Sequence, residues 1–231
     1  LFSFRPSLIA LTIAALFSHT ALAVNGEIFE GNKTGESVVG IELDGTTDSY
    51  SKVGASNIVS DSKRGGTHSI GVSLTNGTVL SAFDGAGPNI EISTIHALKY
   101  GEAIGISISG DRTEIAETAT ILIDDIHSNY DEAYGLFQDT ASGAVNVNTI
   151  TAKNIKSDDD DAYGVNVAGD LTAHSVVVDN VLGGVEQEGI GYIANGVRVD
   201  GDFNITGSDQ SDVLSITNVS GGNSAIGLYT G

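Results

Sequence analysis

Apolar positions along this chain recur two residues apart, and short glycine- and asparagine-rich breaks separate the runs. Val165/Val167 and Val197/Val199 show the spacing, which places alternate side chains on one face of a strand rather than along a helix stripe. β-Branched residues dominate these runs, and Gly, Asn and Asp punctuate them. The reading is all-β.

The runs belong to a longer repeat. A glycine followed by alternating apolar residues appears at Gly40-Ile41-Glu42-Leu43, Gly71-Val72-Ser73-Leu74, Gly105-Ile106-Ser107-Ile108, Gly135-Leu136-Phe137, Gly164-Val165-Asn166-Val167, Gly196-Val197-Arg198-Val199 and Gly227-Leu228-Tyr229. Successive glycines are 31, 34, 30, 29, 32 and 31 residues apart. A second motif keeps the same period at another phase. It ends in Asn57-Ile58, Thr94-Ile95, Asp125-Ile126, Asn154-Ile155, Asn180-Val181 and Asn218-Val219.

A unit of about 31 residues cannot bury its own apolar face, and stacking identical units can. The expected fold is therefore a right-handed parallel β-helix (solenoid) preceded by a signal peptide. Two inward ladders follow, Ile41-Val72-Ile106-Leu136-Val165-Val197-Leu228 and Ile58-Ile95-Ile126-Ile155-Val181-Val219. The column Asn57, Thr94, Asp125, Asn154, Asn180, Asn218 falls at a corner, where Asn and Asp tolerate left-handed backbone. Seven turns would make a rod roughly 30 Å long. The gap between this column and the next glycine varies from 9 to 16 residues, which marks a loop-bearing edge, and much of the acid (Asp61, Asp131, Glu132, Asp158 to Asp161, Glu186, Glu188) falls there. A β-propeller is the competing architecture, but its blades are longer and carry aromatic signatures missing here.

Residues 1–23 read as a signal peptide, with Arg5 ahead of the apolar stretch Leu8 to Phe17 and a small-x-small site at Ala21-Leu22-Ala23. About 10 apolar residues are too few for a span that needs roughly 20. The repeat domain then covers 24–231, and the stop in mid-repeat at Gly231 leads us to expect truncation at that end.

Composition narrows the function. Acidic residues outnumber basic ones 30 to 10, a net charge of −20, which argues against nucleic-acid binding through clustered Lys and Arg. There is no Cys, hence no disulfide scaffold, thiolate metal site or Cys nucleophile.

No residue is assigned as catalytic, cofactor-binding or metal-ligating, and the segment is read as non-enzymatic. Several groups were weighed. Asp158-Asp159-Asp160-Asp161 could contribute to a Ca²⁺ site, but reads better as a solvated loop of mutually repelling charges. The pairs Asp124/Asp125 and Asp131/Glu132 could serve a glycosidase, yet nothing in the sequence selects among them. Arg64, Arg112, Arg198 and six lysines are the only strong bases past the leader. His96 and His127 should stack in adjacent repeats as a surface pair; His68 and His174 are the other histidines past the leader. The column Glu42, Ser73, Ser107, Phe137, Asn166, Arg198, Tyr229 faces outward and carries no run of aromatics. Four N-x-S/T sites (Asn32, Asn76, Asn204, Asn218) read as incidental.

The leader, the absence of Cys, the acidic Gly/Asn/Thr-rich body and repeats such as Ala162-Tyr163-Gly164-Val165-Asn166-Val167-Ala168-Gly169-Asp170 together resemble the passenger region of Gram-negative autotransporters (type V secretion). The resemblance covers nearly all of 24–231. It implies a surface-exposed or secreted structural or adhesive stalk that reaches the outside through periplasm and outer membrane. It also implies a C-terminal β-barrel lying outside this segment as its own partner, and cell-surface receptors or glycans as external partners. A barrel needs many alternating strands of about 10 residues, and none is present in the sequence. Two other readings stay open: a secreted β-helical polysaccharide-active enzyme, and an exported cell-surface binding protein of another kind.

Overall fold

A computed structural model describes residues 27–45, 47–63, 65–81, 89–110, 112–140, 143–185, 191–208 and 213–231. The leader at 1–23 and the residues Arg64, Glu186 and Glu188 lie outside the described residues.

Every regular element described is a strand. In chain order they are β1 (Glu27–Gly35), β2 (Val38–Asp44), β3 (Thr47–Ser49), β4 (Lys52–Ser60), β5 (His68–Thr75), β6 (Val79–Ser81), β7 (Asn89–Ala97), β8 (Glu102–Ile108) and β9 (Glu114–Ile115). They continue with β10 (Thr120–Ser128), β11 (Ala133–Gln138), β12 (Val145–Ser157), β13 (Ala162–Val167), β14 (Leu171–Leu182), β15 (Ile193–Val199), β16 (Phe203–Ile205), β17 (Leu214–Ser220) and β18 (Ser224–Thr230). The first sheet runs β1-β4-β7-β10-β12-β14-β16, with β17 also on β14; the second runs β2-β5-β8-β11-β13-β15-β18. A short third sheet is β3-β6-β9. All pairings are parallel. Each repeat thus gives one strand to each long sheet, an arrangement consistent with a solenoid-like fold.

The register matches the expected ladders rung by rung. Ile41 pairs Val72, Val72 pairs Ile106, and the series continues through Leu136, Val165 and Val197 to Leu228. The Ile58 to Val219 series is equally unbroken. As far as Val197 and Val181 these side chains form one core between the two long sheets, with Val219 packed against it. Ile58, Ile95, Ile126 and Ile155 are fully buried, where an Ile methyl stack gains both transfer energy and dispersion contacts. In the first repeat Lys33 takes the ladder place beside Ile58. Its ammonium donates to the Val39 and Gly40 carbonyls at 3.3 and 2.6 Å, so that end carries a hydrogen-bonded charge where the other rungs carry isoleucine or valine. At the opposite end Leu228 is 42% exposed, against 0% for Val197 one rung before it.

The glycine and asparagine columns have different causes. Asn57, Thr94, Asp125, Asn154, Asn180 and Asn218 all have φ between 53° and 60°, and Asn32 in the first repeat joins them at 58°. They bend the strand left-handedly without ending it, and they drop out of the pairing register (Ser56 pairs Ser93 and Ile58 pairs Ile95). Their amides link successive rungs, as in Asn180 to Asn154 at 2.6 Å. The repeat glycines instead lie inside the second-sheet strands. A Cβ on Gly105 would stand 2.6 Å from the Gly135 carbonyl oxygen and 2.9 Å from Ile123. Glycine is required there because the carbonyl of the next rung in the same sheet and the isoleucine of the facing sheet both leave no room for a side chain.

Candidate functional site

The outer face of the second sheet carries the most unusual chemistry among the described residues. Its placement starts with buried serines at the ends of the first-sheet strands. Ser128 and Ser157 lie in the same column. Ser128 Oγ donates to the Gly101 carbonyl at 2.9 Å and accepts from the Asp131 amide at 3.1 Å. Ser157 Oγ repeats the geometry, donating to the Asp131 carbonyl at 2.9 Å and accepting from the Asp160 amide at 2.9 Å. These small hydroxyl-anchored turns hold successive loops in the same shape.

Each loop therefore delivers an ionisable residue just before a strand of the second sheet. His68 pairs Glu102 in register, and Glu132 and Asp161 hold the same place ahead of Ala133 and Ala162, which pair each other. The result is a row of His68, Glu102, Glu132 and Asp161 on adjacent rungs. Glu102 is engaged by His68 Nδ1 at 2.9 Å, and this hydrogen bond raises the His68 pKa against the opposing effect of burial. Asp161 accepts from the Tyr163 hydroxyl at 2.9 Å and from the Ile193 amide at 2.7 Å. Glu132 sits between these two satisfied carboxylates. Burial raises its pKa above the ordinary carboxylate value; a hydrogen bond from its own backbone amide opposes this, and the charges of Asp160, Glu102 and Asp131 add to the rise.

A second row runs alongside, two residues further along each strand. Ile70, Ile104, Tyr134, Tyr163 and Asn195 occupy it. Tyr134 and Tyr163 stack with centroids 5.0 Å apart and planes at 11°, and Phe137 lies 4.5 Å from Tyr134. With Ile104 they form a hydrophobic cluster separate from the main core. Tyr134 is 8% exposed. Burial, reinforced by the nearby Glu132 and Glu102 charges, pushes its hydroxyl far above the ordinary range. The Tyr163 hydroxyl is pushed up to about 12, again chiefly by burial. Arg198 stands in the neighbouring column, in register with Asn166, paired with Asp200 at 3.1 and 3.2 Å and lying 5.6 Å over the Tyr229 ring.

The residues weighed from sequence distribute as follows. Of Asp158 to Asp161, none is a free solvated charge of the kind expected: Asp158 meets His127 at 3.0 Å and Lys156 at 2.5 Å, Asp159 has a partner, Asp160 accepts from the Asp161 amide, and Asp161 is held as above. Burial works against the Asp158 carboxylate, but the Lys156 and His127 hydrogen bonds outweigh it and hold its pKa low. His96 and His127 do stack, edge to face at 5.7 Å, with His96 3.2 Å from Asp125. Asp124 accepts from Asn154 at 2.7 Å, so the Asp124/Asp125 pair belongs to the asparagine column on the first sheet. Asp131/Glu132 belongs to the row on the second. Among the described residues no group of three or more His, Cys, Asp or Glu is arranged to hold a metal ion.

Glu102, Tyr134 and Tyr163 were not singled out from sequence. The available signal was the recurrence of Ala-Tyr-Gly at Ala133-Tyr134-Gly135 and Ala162-Tyr163-Gly164. The residue before the repeat glycine defines a second outward column, beside the one that contains Phe137 and Arg198. Set against protein-family models, curated proteins and solved structures, the chain matches none of them.

Proposed function

We propose that this chain is an exported structural or adhesive stalk, built as a right-handed parallel β-helix and displayed at the cell surface or released. On this reading it is non-catalytic and resembles the passenger of a Gram-negative autotransporter. The observation that carries the reading is the unbroken rung-by-rung pairing of equivalent residues in two long parallel sheets. Such stacking extends with each repeat and offers a continuous lateral surface, which suits display and contact better than enclosure of a small substrate. The apolar leader at 8–17 supports export.

The test is protease accessibility on intact cells that express the natural gene with an epitope tag near Asn76. Surface cleavage, abolished by deleting residues 1–23, is expected. Retention inside the cell with the leader intact would end the export reading.

One observation favours a second reading, a polysaccharide-active enzyme: the carboxylates Glu102, Glu132 and Asp161 share one face, with Glu132 biased toward its protonated form, as a general acid requires. Release of reducing ends from a polysaccharide panel, lost in Glu132→Gln, would establish it.

A further inference from the structure

The fold sorts the tyrosines into an open pair and a shielded pair. The chain has seven tyrosines and no Cys, Met or Trp. The sulfur atoms that ordinarily consume peroxide are therefore missing, and tyrosine is the most readily oxidised side chain left. Tyr100 stands in the loop between β7 and β8, and Tyr130 in the loop one rung on, between β10 and β11. Their rings stack with centroids 5.1 Å apart and planes at 30°, and they are 49% and 44% exposed. Among the described residues they are the only tyrosines that are both exposed and stacked on another tyrosine. The backbone beneath them is tied from rung to rung. Asn129 Nδ2 donates to the Leu98 carbonyl at 2.8 Å, Ser128 Oγ to the Gly101 carbonyl at 2.9 Å, and Thr67 Oγ1 to the Tyr100 carbonyl at 2.7 Å. The loops are thus held in register while the exposed rings turn between rotamers. Tyr134 and Tyr163 make the contrasting pair. They stack as closely, at 5.0 Å, but both are buried, away from an oxidant in solution. Burial also pushes the Tyr134 hydroxyl far above the ordinary range, so it releases its proton less readily.

We propose that Tyr100 and Tyr130 form an oxidative cross-linking site, at which hydrogen peroxide acting through a haem peroxidase joins the two rings as dityrosine. Each phenol gives up one electron and one proton to become a phenoxyl radical. The two radicals couple through ring carbons next to the hydroxyl-bearing carbon, one Cε from each residue, and a carbon–carbon bond forms. The hydrogen on each coupled carbon then moves to the oxygen, which restores both aromatic rings and both hydroxyls. The protein loses two hydrogen atoms in all, and one hydrogen peroxide is reduced to two waters. The product closes a loop of one repeat and fastens neighbouring rungs covalently. In a chain without cysteine it serves as a disulfide does, by restricting the unfolded chain. The inference goes beyond the stalk reading and does not rest on it. It is tested on purified protein, so its failure would leave the export experiment untouched.

The experiment exposes dilute purified protein to hydrogen peroxide and a haem peroxidase, then reads intact mass, a peptide map and the urea midpoint. A monomer lighter by two hydrogen atoms is expected, with Tyr100 and Tyr130 joined in one cross-linked peptide. The product should fall to background in Tyr100→Phe and in Tyr130→Phe, which keep the stacked rings and lose only the hydroxyl that starts the reaction. It should persist in Tyr229→Phe, where the ring is exposed but lies against Arg198 rather than another tyrosine. The cross-linked monomer should unfold at a higher urea midpoint than the untreated protein. The proposal is overturned if coupling yields only dimers of the chain, if the rings gain oxygen without joining, or if no tyrosine reacts. A cross-link mapped to Tyr134 and Tyr163, or one that survives either phenylalanine substitution at the open pair, overturns it as well. An unchanged urea midpoint in the cross-linked monomer overturns the fastening of the rungs.

Discussion

At the residue scale, backbone conformation explains identities that hydrophobicity does not. Six of the seven left-handed bend positions carry Asn or Asp, whose short polar side chains tolerate φ near +55°. Thr94 is the exception, with φ of 58° on a β-branched residue. Strain of this kind costs on the order of 1–3 kcal/mol, so Thr94→Asn should stabilise the protein by about 1 kcal/mol, read as a raised urea midpoint. An unchanged midpoint would mean the bend is not strained. Glu132 supplies a pH test. Its folded-state pKa lies above that of an ordinary glutamate, so the native state binds this proton more tightly than the unfolded chain does. Stability from this group is lost as pH climbs from 4.5 through the raised value. Glu132→Gln should therefore raise Tm at neutral pH, with the gain fading below about pH 4.5. A gain that persists equally in acid would refute the electrostatic cause.

At the scale of elements, the strands are fixed by their ladders and by the close approach of the two sheets. Ile126 is fully buried between Ile95 and Ile155, and Ile126→Ala should cost about 2–5 kcal/mol. Gly105→Ala removes no contact yet should destabilise by about 3 kcal/mol, because its Cβ would meet backbone oxygen and a packed Ile123. Chemical denaturation of both variants reads these losses as lowered urea midpoints; an unchanged midpoint in Gly105→Ala would mean that the packing around it yields to a methyl group. The alternating spacing and the period made both columns visible in the sequence. The reason for the glycines was not visible, since the approach of one sheet to the other is a long-range property.

At the scale of the whole molecule, stacked repeats make stability close to a sum of units and their interfaces. Deleting residues 106–135 joins Gly105 to Leu136 and preserves every ladder column. The shortened chain should fold, with a smaller denaturant m-value, because m follows the surface exposed on unfolding. Deleting 106–130 instead puts the remaining rungs out of phase and should abolish cooperative unfolding. If both deletions fold alike, rung-by-rung stacking is not what holds the chain together.

The sequence by itself determined the all-β class, the repeat period, both inward ladders and the left-handed column, because each follows from local spacing and from what single residues can adopt. Only the tertiary structure decided the outer face. Whether Glu102, Glu132 and Asp161 form a row depends on how successive loops between the two sheets are pinned by Ser128 and Ser157. Tyr134 and Tyr163 become neighbours only when strands separated by a loop pair in parallel. Such contacts join residues about one repeat apart, and no window of the chain contains them until the rungs are stacked.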